Sequence, residues 1–485
     1  MKHIIRHIII TMCVILAAGC EEVPVAELVW KPEVVDICAT ADADSVKLTA
    51  TLNDRPRGDL ECGFYVGTKM DKLERVTGTL EGTTFHATVQ GLYRKTEYIY
   101  MAFISNGWNE ILSDMDSFIS RESADSPEPT DPSLHIIFSD KVMEELCVNA
   151  FDSNNDGHLS YSEAQAVTDI SKMTLSRKTF RSFEEFRHFT AVREVPDHFF
   201  EGTGIERIRF PEKLNSIGNA AFKDCRYLKD ITFASELEEI GNDAFLGCIS
   251  LTELEIKGKD CTINNRAFSG CTNLQTVLLL EGICNINDSA FAKCSKLERI
   301  SVPASAVIIN ADAFQYTSIK EVHISDLSSW MKITFANSAA NPLAAGAELI
   351  LNGVALAELE FPGDISQLKN YAFTGCTSIE RVRISESISS VGRNAFFNCT
   401  GLKEAYIPES VNIIKGMAFY NCKSLTDIYL KASVPPLLDD LTPSFYPFDE
   451  NAPGRIFHVP AGSAETYKAD AGWTYYADSI KEYNY

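Results

Sequence analysis

Between residues 152 and 163, oxygen-bearing side chains fall at a spacing that suits a hard divalent cation. Asp152, Asn154 and Asp156 alternate, so three side chains converge on one point from a turning backbone. Gly157 allows the sharp turn, and His158 offers its backbone carbonyl rather than its imidazole. Ser160 acts through water, and Glu163 closes the set with both oxygens. Leu159 points the other way, as a core residue. The expected cofactor is calcium. Only one such loop exists, which predicts a structural clip rather than a switch.

These twelve residues resemble the EF-hand loop, and the resemblance implies a helix on either side. Residues 140–151 carry Val142, Met143, Leu146 and Phe151 at helical spacing, and Ser162 is expected to start the second helix as its N-cap.

The first twenty residues are of another kind. Lys2 and Arg6 give a basic start, residues 8–16 are mostly apolar, and Ala17, Ala18 and Gly19 lead into Cys20. That run is too short to span a bilayer and suits a cleaved signal peptide. Leu16-Ala-Ala-Gly-Cys20 resembles the lipobox of bacterial lipoproteins, which implies lipidation at Cys20. Glu21 and Glu22 look like the acidic stretch that sends some lipoproteins of Gram-negative gut anaerobes to the cell surface. The expected location is the outer membrane or cell surface, held through the lipid anchor alone.

The formal charge is −23, and it becomes −25 once Lys2 and Arg6 leave with the signal. Such a chain repels nucleic acid and anionic lipid, which argues against both as partners. The nine histidines are scattered, with no His-Glu-x-x-His, Gly-x-Ser-x-Gly or phosphate-cradling glycine loop. His188 and His198 flank an acidic segment and read as surface residues. No enzyme is expected.

Residues 30–121 alternate polar and apolar in short strands, as in residues 45–52, 61–66 and 84–89. Gly91-Leu-Tyr-Arg-Lys-Thr-Glu-Tyr98 resembles the tyrosine corner of a fibronectin type III sandwich, which implies that the Tyr98 hydroxyl ties back across the loop. The domain reads as a spacer. Residues 122–134, rich in Pro, Ser and acid, read as a linker.

The rest of the chain repeats. An Ala-Phe pair places Phe222, Phe245, Phe268, Phe291, Phe314, Phe373, Phe396 and Phe419 at steps of 23 residues, broken by one step of 59. One unit reads Leu228, Ile231, Phe233, Leu237, Ile240, Gly241, Ala244, Phe245 and Cys248, at unit positions 1, 4, 6, 10, 13, 14, 17, 18 and 21. Positions 1, 4 and 6 predict one short strand per coil, stacked about 4.8 Å apart in a parallel sheet. Pro at position 7 ends that strand (Pro211, Pro303, Pro362, Pro408). Gly at position 14 is expected to turn the chain, and Ala-Phe-x-x-Cys to pack as a short helical turn.

This pattern resembles the BspA-like class of leucine-rich repeats found in surface proteins of oral and gut anaerobes. The likeness runs from about residue 183 to the end. It implies adhesion or host-glycoprotein binding, with a calcium-loop segment ahead of the repeats and a lead-in matching Phe183, Phe186, Phe189 and Thr190.

Departures from the pattern are informative. Thr317 stands where a Cys is expected, and the register is lost over residues 319–355, around Trp330 and Asn341. That insertion reads as an irregular coil, the other possibility being a protruding binding element that carries Trp330. Seven cysteines (Cys225, Cys248, Cys271, Cys294, Cys376, Cys399, Cys422) hold position 21 and predict an inward column rather than a metal site. For Cys38 with Cys62, and Cys261 with Cys284, disulfide and free thiols both stay open. Position 5 faces outward and carries Arg209, Thr232, Glu255, Leu278, Ser301 and His323, then Arg383, Tyr406 and Tyr429. Arg beside a Tyr ladder is the composition of a binding hot spot, against a plain solvated sheet face.

The expected architecture is multidomain and mainly β. It comprises a signal peptide (1–19), a lipidated tether (20–29), a β-sandwich (30–121), a linker (122–134), a short helical EF-hand-like segment (135–180), a leucine-rich-repeat solenoid with one parallel strand per 23-residue coil (181–430) and a C-terminal cap (431–485). The expected function is cell-surface adhesion or recognition of an extracellular protein or glycan. A structural scaffold or glycan-uptake accessory is the alternative.

Overall fold

The structure is a computed structural model and describes residues 33–41, 45–54, 60–105, 110–121, 127, 129–175, 179–439 and 446–484. The expected signal peptide, Cys20 and the tether lie outside these residues, as does part of the linker. The protein is mainly β with few, short helices, and it divides into two compact units at Thr130 and Asp131. Among the described residues no helix is long and apolar enough to cross a membrane.

In the first unit, alternation decides which side chains go inside. Val46, Leu48, Ala50 and Leu52 are all buried on one face of Ser45–Leu52. That strand lies in an antiparallel sheet with Val34–Ala41, Thr84–Gln90 and Thr79–Glu81. A second antiparallel sheet is built on Glu61–Gly67 and Glu97–Ser105. Phe64 and Phe85, one from each sheet, meet at 5.4 Å. The Tyr98 hydroxyl accepts the Tyr93 N–H at 2.9 Å, so the corner tie is formed. Cys38 is exposed, Cys62 is buried, and both are free thiols.

The second unit opens with the helix Lys141–Phe151, capped by Asp140, whose Oδ1 accepts from Val142 and Met143 N–H at 2.9 and 3.1 Å. The next helix, Tyr161–Ala166, starts at Ser160 rather than at Ser162 as the sequence suggested. The cause is a capping box. Ser160 Oγ accepts the Glu163 N–H, and the Glu163 carboxylate takes the Ser160 N–H. Phe183, Phe186 and Phe189 are buried together, and Phe151 meets Phe189 edge-on at 5.9 Å. The helical segment is thereby packed onto the first coil.

From Ser182 onward the chain coils with a parallel sheet on each of two sides. The first sheet, made of positions 3 to 6, runs in three sections. The second has seven strands from Glu194–Val195 to Thr334–Phe335, then three from Ser390–Val391 to Leu437–Asp439. On the third side the expected helical turn is absent. Its place is taken by turns with two left-handed residues per coil, such as Asp243 (φ 56°) and Gly247 (φ 74°). Asp, Asn and Gly tolerate that conformation, which explains their recurrence there. The position-14 glycines also work differently from expectation. Gly241 and Gly392 are not left-handed, but a Cβ would stand 2.7 Å from Asn219 N and 2.6 Å from Asn370 N of the preceding coil. Close stacking is what demands glycine.

The inward residues form two files. Phe200, Phe222, Phe245, Phe268, Phe291 and Phe314 stack with centroids 4.8, 5.0, 5.0, 5.2 and 5.6 Å apart. Each such pair adds about 0.5–1.5 kcal/mol beyond its burial. The cysteines form the other file, and most of their thiols have a job. Cys225, Cys248 and Cys399 Sγ donate to the carbonyls of Phe200, Phe222 and Phe373 at 2.9, 3.1 and 3.1 Å. Thr317, in the Cys position, turns its hydroxyl to Phe314 O at 2.8 Å instead. Cys261 and Cys284 are free thiols.

Residues 319–355 form an irregular coil inside the stack. Glu321–Ile324 and Glu348–Leu351 continue the first sheet, and a tight hairpin at Asn352 and Gly353 turns Val354–Ala355 back along its edge. Trp330 is buried against Phe335 at 5.3 Å. Beyond residue 431 the stack goes on. Ile456–Pro460 and Ile480–Tyr483 add two parallel strands, over a core of Phe448, Tyr467, Trp473 and Tyr476. The alignment on 23 residues loses them because Tyr429 pairs with His458, 29 positions on.

Candidate binding face and cation loop

Parallel register puts like positions side by side, so outward side chains form files one strand apart. Arg383, Tyr406, Tyr429 and His458 are register partners in consecutive strands of the last first-sheet section. The Arg383 guanidinium carbon lies 4.3 Å from the Tyr406 ring centroid. Tyr406 stacks on Tyr429 at 4.6 Å and Tyr429 on His458 at 4.4 Å, with planes 5° and 11° apart. Tyr483 closes the file edge-on to both Tyr429 and His458, at 5.6 and 5.7 Å.

A charged file runs beside it. Arg381 bonds Glu358 and Glu404, the Tyr406 hydroxyl donates to Glu404 at 2.9 Å, and His458 Nε2 meets Asp427 Oδ1 at 2.8 Å. Arg381 holds the Glu404 carboxyl below the usual carboxylate range. Burial pushes the Tyr406 hydroxyl up, helped by Glu404. Burial also pushes Asp427 up, but its hydrogen bonds from His458 and Thr426 outweigh this and leave it lowered.

Both faces of Tyr406 and of Tyr429 are thus covered by neighbours in the file. A ligand at this surface meets ring edges, hydroxyls and the exposed Arg383, not open aromatic faces. The sequence pointed to Arg383, Tyr406 and Tyr429 and missed His458 and Tyr483. A signal for the first existed: Phe457-His-Val-Pro460 repeats the apolar-x-apolar-Pro of a coil strand. Trp330 is not part of this face. It is buried, and its Nε1 donates to Ala372 O at 3.0 Å, so it has no surface to offer a ligand. The earlier files are mixed, as Glu255, Leu278, Ser301 and His323 show in register.

The oxygen-rich loop folds around its own N–H groups. Asp152 accepts from Asn155 and Gly157 at 2.7 and 2.9 Å, and Asp156 from His158 at 2.9 Å. Glu163 accepts from Ser153, Asn154 and Ser160. Partial burial raises its carboxyl, but the Ser160 and Ser153 bonds outweigh that and hold it at about 2. Asn155 and Gly157 are both left-handed, and Leu159 is buried. Among the described residues no three His, Cys, Asp or Glu side chains stand together as a metal-holding group. The donor chemistry of Asp152, Asn154, Asp156, Ser160 and Glu163 is all oxygen, which suits calcium. The back of the loop is pinned, with Ile136 N–H on Leu159 O (2.8 Å) and Tyr161 N–H on Leu134 O (3.0 Å).

Of the histidines flanking the acidic segment, His188 packs edge-on against Tyr161 and His198 pairs with Glu201. They do not come together in a site.

The family model described as the BspA-type leucine-rich repeat region matches residues 134–229, 216–341 and 350–439. Among solved structures, the chain is similar to a leucine-rich repeat protein from Bacteroides ovatus, at 23% identity over 61% of this chain and 82% of that one, with a TM-score of 0.33. A leucine-rich cell surface protein from Faecalibacterium prausnitzii gives 19%, 61%, 84% and 0.29. The pneumococcal vaccine antigen PcpA gives 16%, 60%, 84% and 0.34. No curated protein matches.

Proposed function

The chain belongs to the BspA-type leucine-rich repeat family, and from that premise we propose a lipid-anchored, cell-surface binding protein that recognises an extracellular protein or glycan. The observation that carries this reading is the file Arg383, Tyr406, Tyr429, His458. It concentrates a cation, aromatic edges and polar groups on one solvent-facing strip, with rotamers already locked by stacking. Little side-chain entropy is then lost on binding.

In this reading Cys20 carries the lipid, and a fibronectin type III-like sandwich spaces the binding unit from the membrane. The tyrosine corner and the two antiparallel sheets support that assignment. Calcium is held by Asp152, Asn154, Asp156, the His158 carbonyl, Ser160 and Glu163. Its charge offsets the mutual repulsion of three carboxylates. Residues 134–136 supply the strand-like support that a lone loop would otherwise lack. The calcium segment then acts as a clip at the first coil.

The test is binding of whole cells to immobilised matrix proteins and to a panel of polysaccharides, with a strain lacking the protein as reference. Equal binding by both strains to every surface sinks the reading.

A further inference from the structure

The second sheet is interrupted once. It stops at Thr334–Phe335 and resumes at Ser390–Val391, with Leu368 bridging to Val391. A cavity of about 290 Å³ lies in this gap, lined by Thr334, Lys369, Asn370, Ser390 and Lys415 among others. Three observations define its chemistry.

First, the cavity is cationic in an acidic protein. No carboxylate lines it, and the chain as a whole carries −23. Lys369 Nζ donates only to uncharged oxygens, Lys332 O and Thr334 Oγ1 (2.9 Å). Asp364, on the neighbouring segment, is already taken by Lys332 and Ser328. Lys415 has no ion-pair partner among the described residues.

Second, an acceptor is missing from a ladder. At unit position 15 of five coils, the backbone N–H is given to the side-chain oxygen of the coil before. Asn219 gives to Asp197, Asn242 to Asn219, Asp288 to Asn265, Ala311 to Asp288 and Arg393 to Asn370, at 2.6, 2.9, 3.1, 3.0 and 2.9 Å. Asn370 holds this position in the first coil after the break and has no coil before it in register. Among the described residues its own N–H, like those of Asn265 and Gly416, has no protein acceptor, and of these three only Asn370 lines the cavity.

Third, burial lowers the basicity of Lys369, which marks its ammonium as incompletely solvated.

We propose that this seam cavity binds a small oxyanion, a carboxylate or sulfate, either free or borne on a single acidic sugar residue. One anionic oxygen takes the place of the missing rung at the Asn370 N–H. Lys369 and Lys415 supply the charge, and the Thr334 and Ser390 hydroxyls supply further donors. The volume suits a ligand of about one monosaccharide. The site lies on a different sheet from the Arg383 file and stands or falls independently of it.

The experiment is calorimetry and thermal melting of the full chain with sodium sulfate and with sodium glucuronate, against sodium chloride at matched ionic strength. Saturable binding of sulfate or glucuronate, absent with chloride, is expected. Lys415→Met should weaken it by about tenfold, the loss of one charge-assisted bond. Lys369→Met should do likewise, and because it also unties the seam, Lys415→Met is the deciding variant. Tighter binding of glucuronate than of sulfate assigns the sugar-borne source, and the reverse assigns the free anion. No saturable binding, a chloride response equal to that of the other two, or full binding by Lys415→Met overturns the proposal.

Discussion

Trp330 Nε1 donates to the Ala372 carbonyl at 3.0 Å across the break in the second sheet. In regular coils the donor to this carbonyl is a backbone N–H, as when Phe222 donates to Ala244 and Phe245 to Ala267. Asn341 Nδ2 adds a second donor to Ala372 O at 3.1 Å and reaches Tyr371 O at 2.7 Å. Two side chains therefore do what the backbone does elsewhere.

It follows that Trp330→Phe, which keeps an aromatic ring but removes the donor, should destabilise the second unit by about 1–3 kcal/mol. Trp330→Ala should cost about 3–5 kcal/mol, because a cavity is added to the lost bond. Urea unfolding of the full chain measures both. A cost below about 0.5 kcal/mol for Trp330→Ala would show that the seam does not rest on this side chain.

On the first sheet, Tyr406→Ala with Tyr429→Ala should lower affinity for any surface ligand by more than about tenfold, as for a hot-spot pair. The cost in stability should be only about 1–3 kcal/mol, since two stacked pairs are lost at half-buried positions. Surface plasmon resonance and melting separate the two effects. Unchanged affinity in the double variant moves the site off this file.

Calorimetry of the full chain should show one calcium site with a Kd on the order of 10⁻⁵ to 10⁻³ M, and chelator should lower the melting temperature. Glu163→Ala removes both the ligand and the capping box. Glu163→Gln keeps a side chain able to take the Ser160 N–H while losing its charge, so it should preserve the helix and still lose calcium. No heat at millimolar calcium makes the loop a plain turn.

Acid should loosen the aromatic file. The Asp427 and Glu404 carboxyls are lowered in the fold, so their contribution is complete above the ordinary carboxylate value of about 4. It is lost as pH falls below that value through the depressed ones. Urea midpoints measured from pH 7 to pH 3 should therefore fall more steeply for the native chain than for Asp427→Asn. Parallel curves would mean that the pair with His458 contributes nothing.

Cys20→Ala should move the protein from the membrane fraction to the soluble one without changing its melting. Retention in the membrane fraction would remove the lipid anchor from the reading.

What was legible in the sequence follows from which physics is local. Phe222 to Phe314 and Phe373 to Phe419 announce their coils because each coil needs the same ring in the same place. Tyr98 announces its corner because the tie closes within five residues. His458 and Phe448 were missed because their coil is lengthened, although stacking distance, which the fold conserves, is kept at 5.1 Å between Phe419 and Phe448. A protruding element carrying Trp330 stays open beside the irregular coil because a sequence alone does not reveal that Ala372 lacks a backbone donor. Ser162 reads as the cap from its residue type, but the reach of Glu163 back to the Ser160 N–H makes Ser160 the cap.

The thiol file sets a race during folding. Once stacked, Cys225 is held up to about 11 and Cys422 to about 12, both mainly by burial, and Cys248 and Cys399 are pushed well above their ordinary value. With almost no thiolate and no access, these sulfurs are inert to exchange. The unstacked chain has no such shelter, and in an oxidising medium any two of its thiols can join. Each coil that docks removes one thiol from that pool, so rapid docking of coils is also the chain's protection against scrambled cross-links. Oxidant present before docking should trap misfolded species, whereas oxidant added afterwards should leave the file untouched.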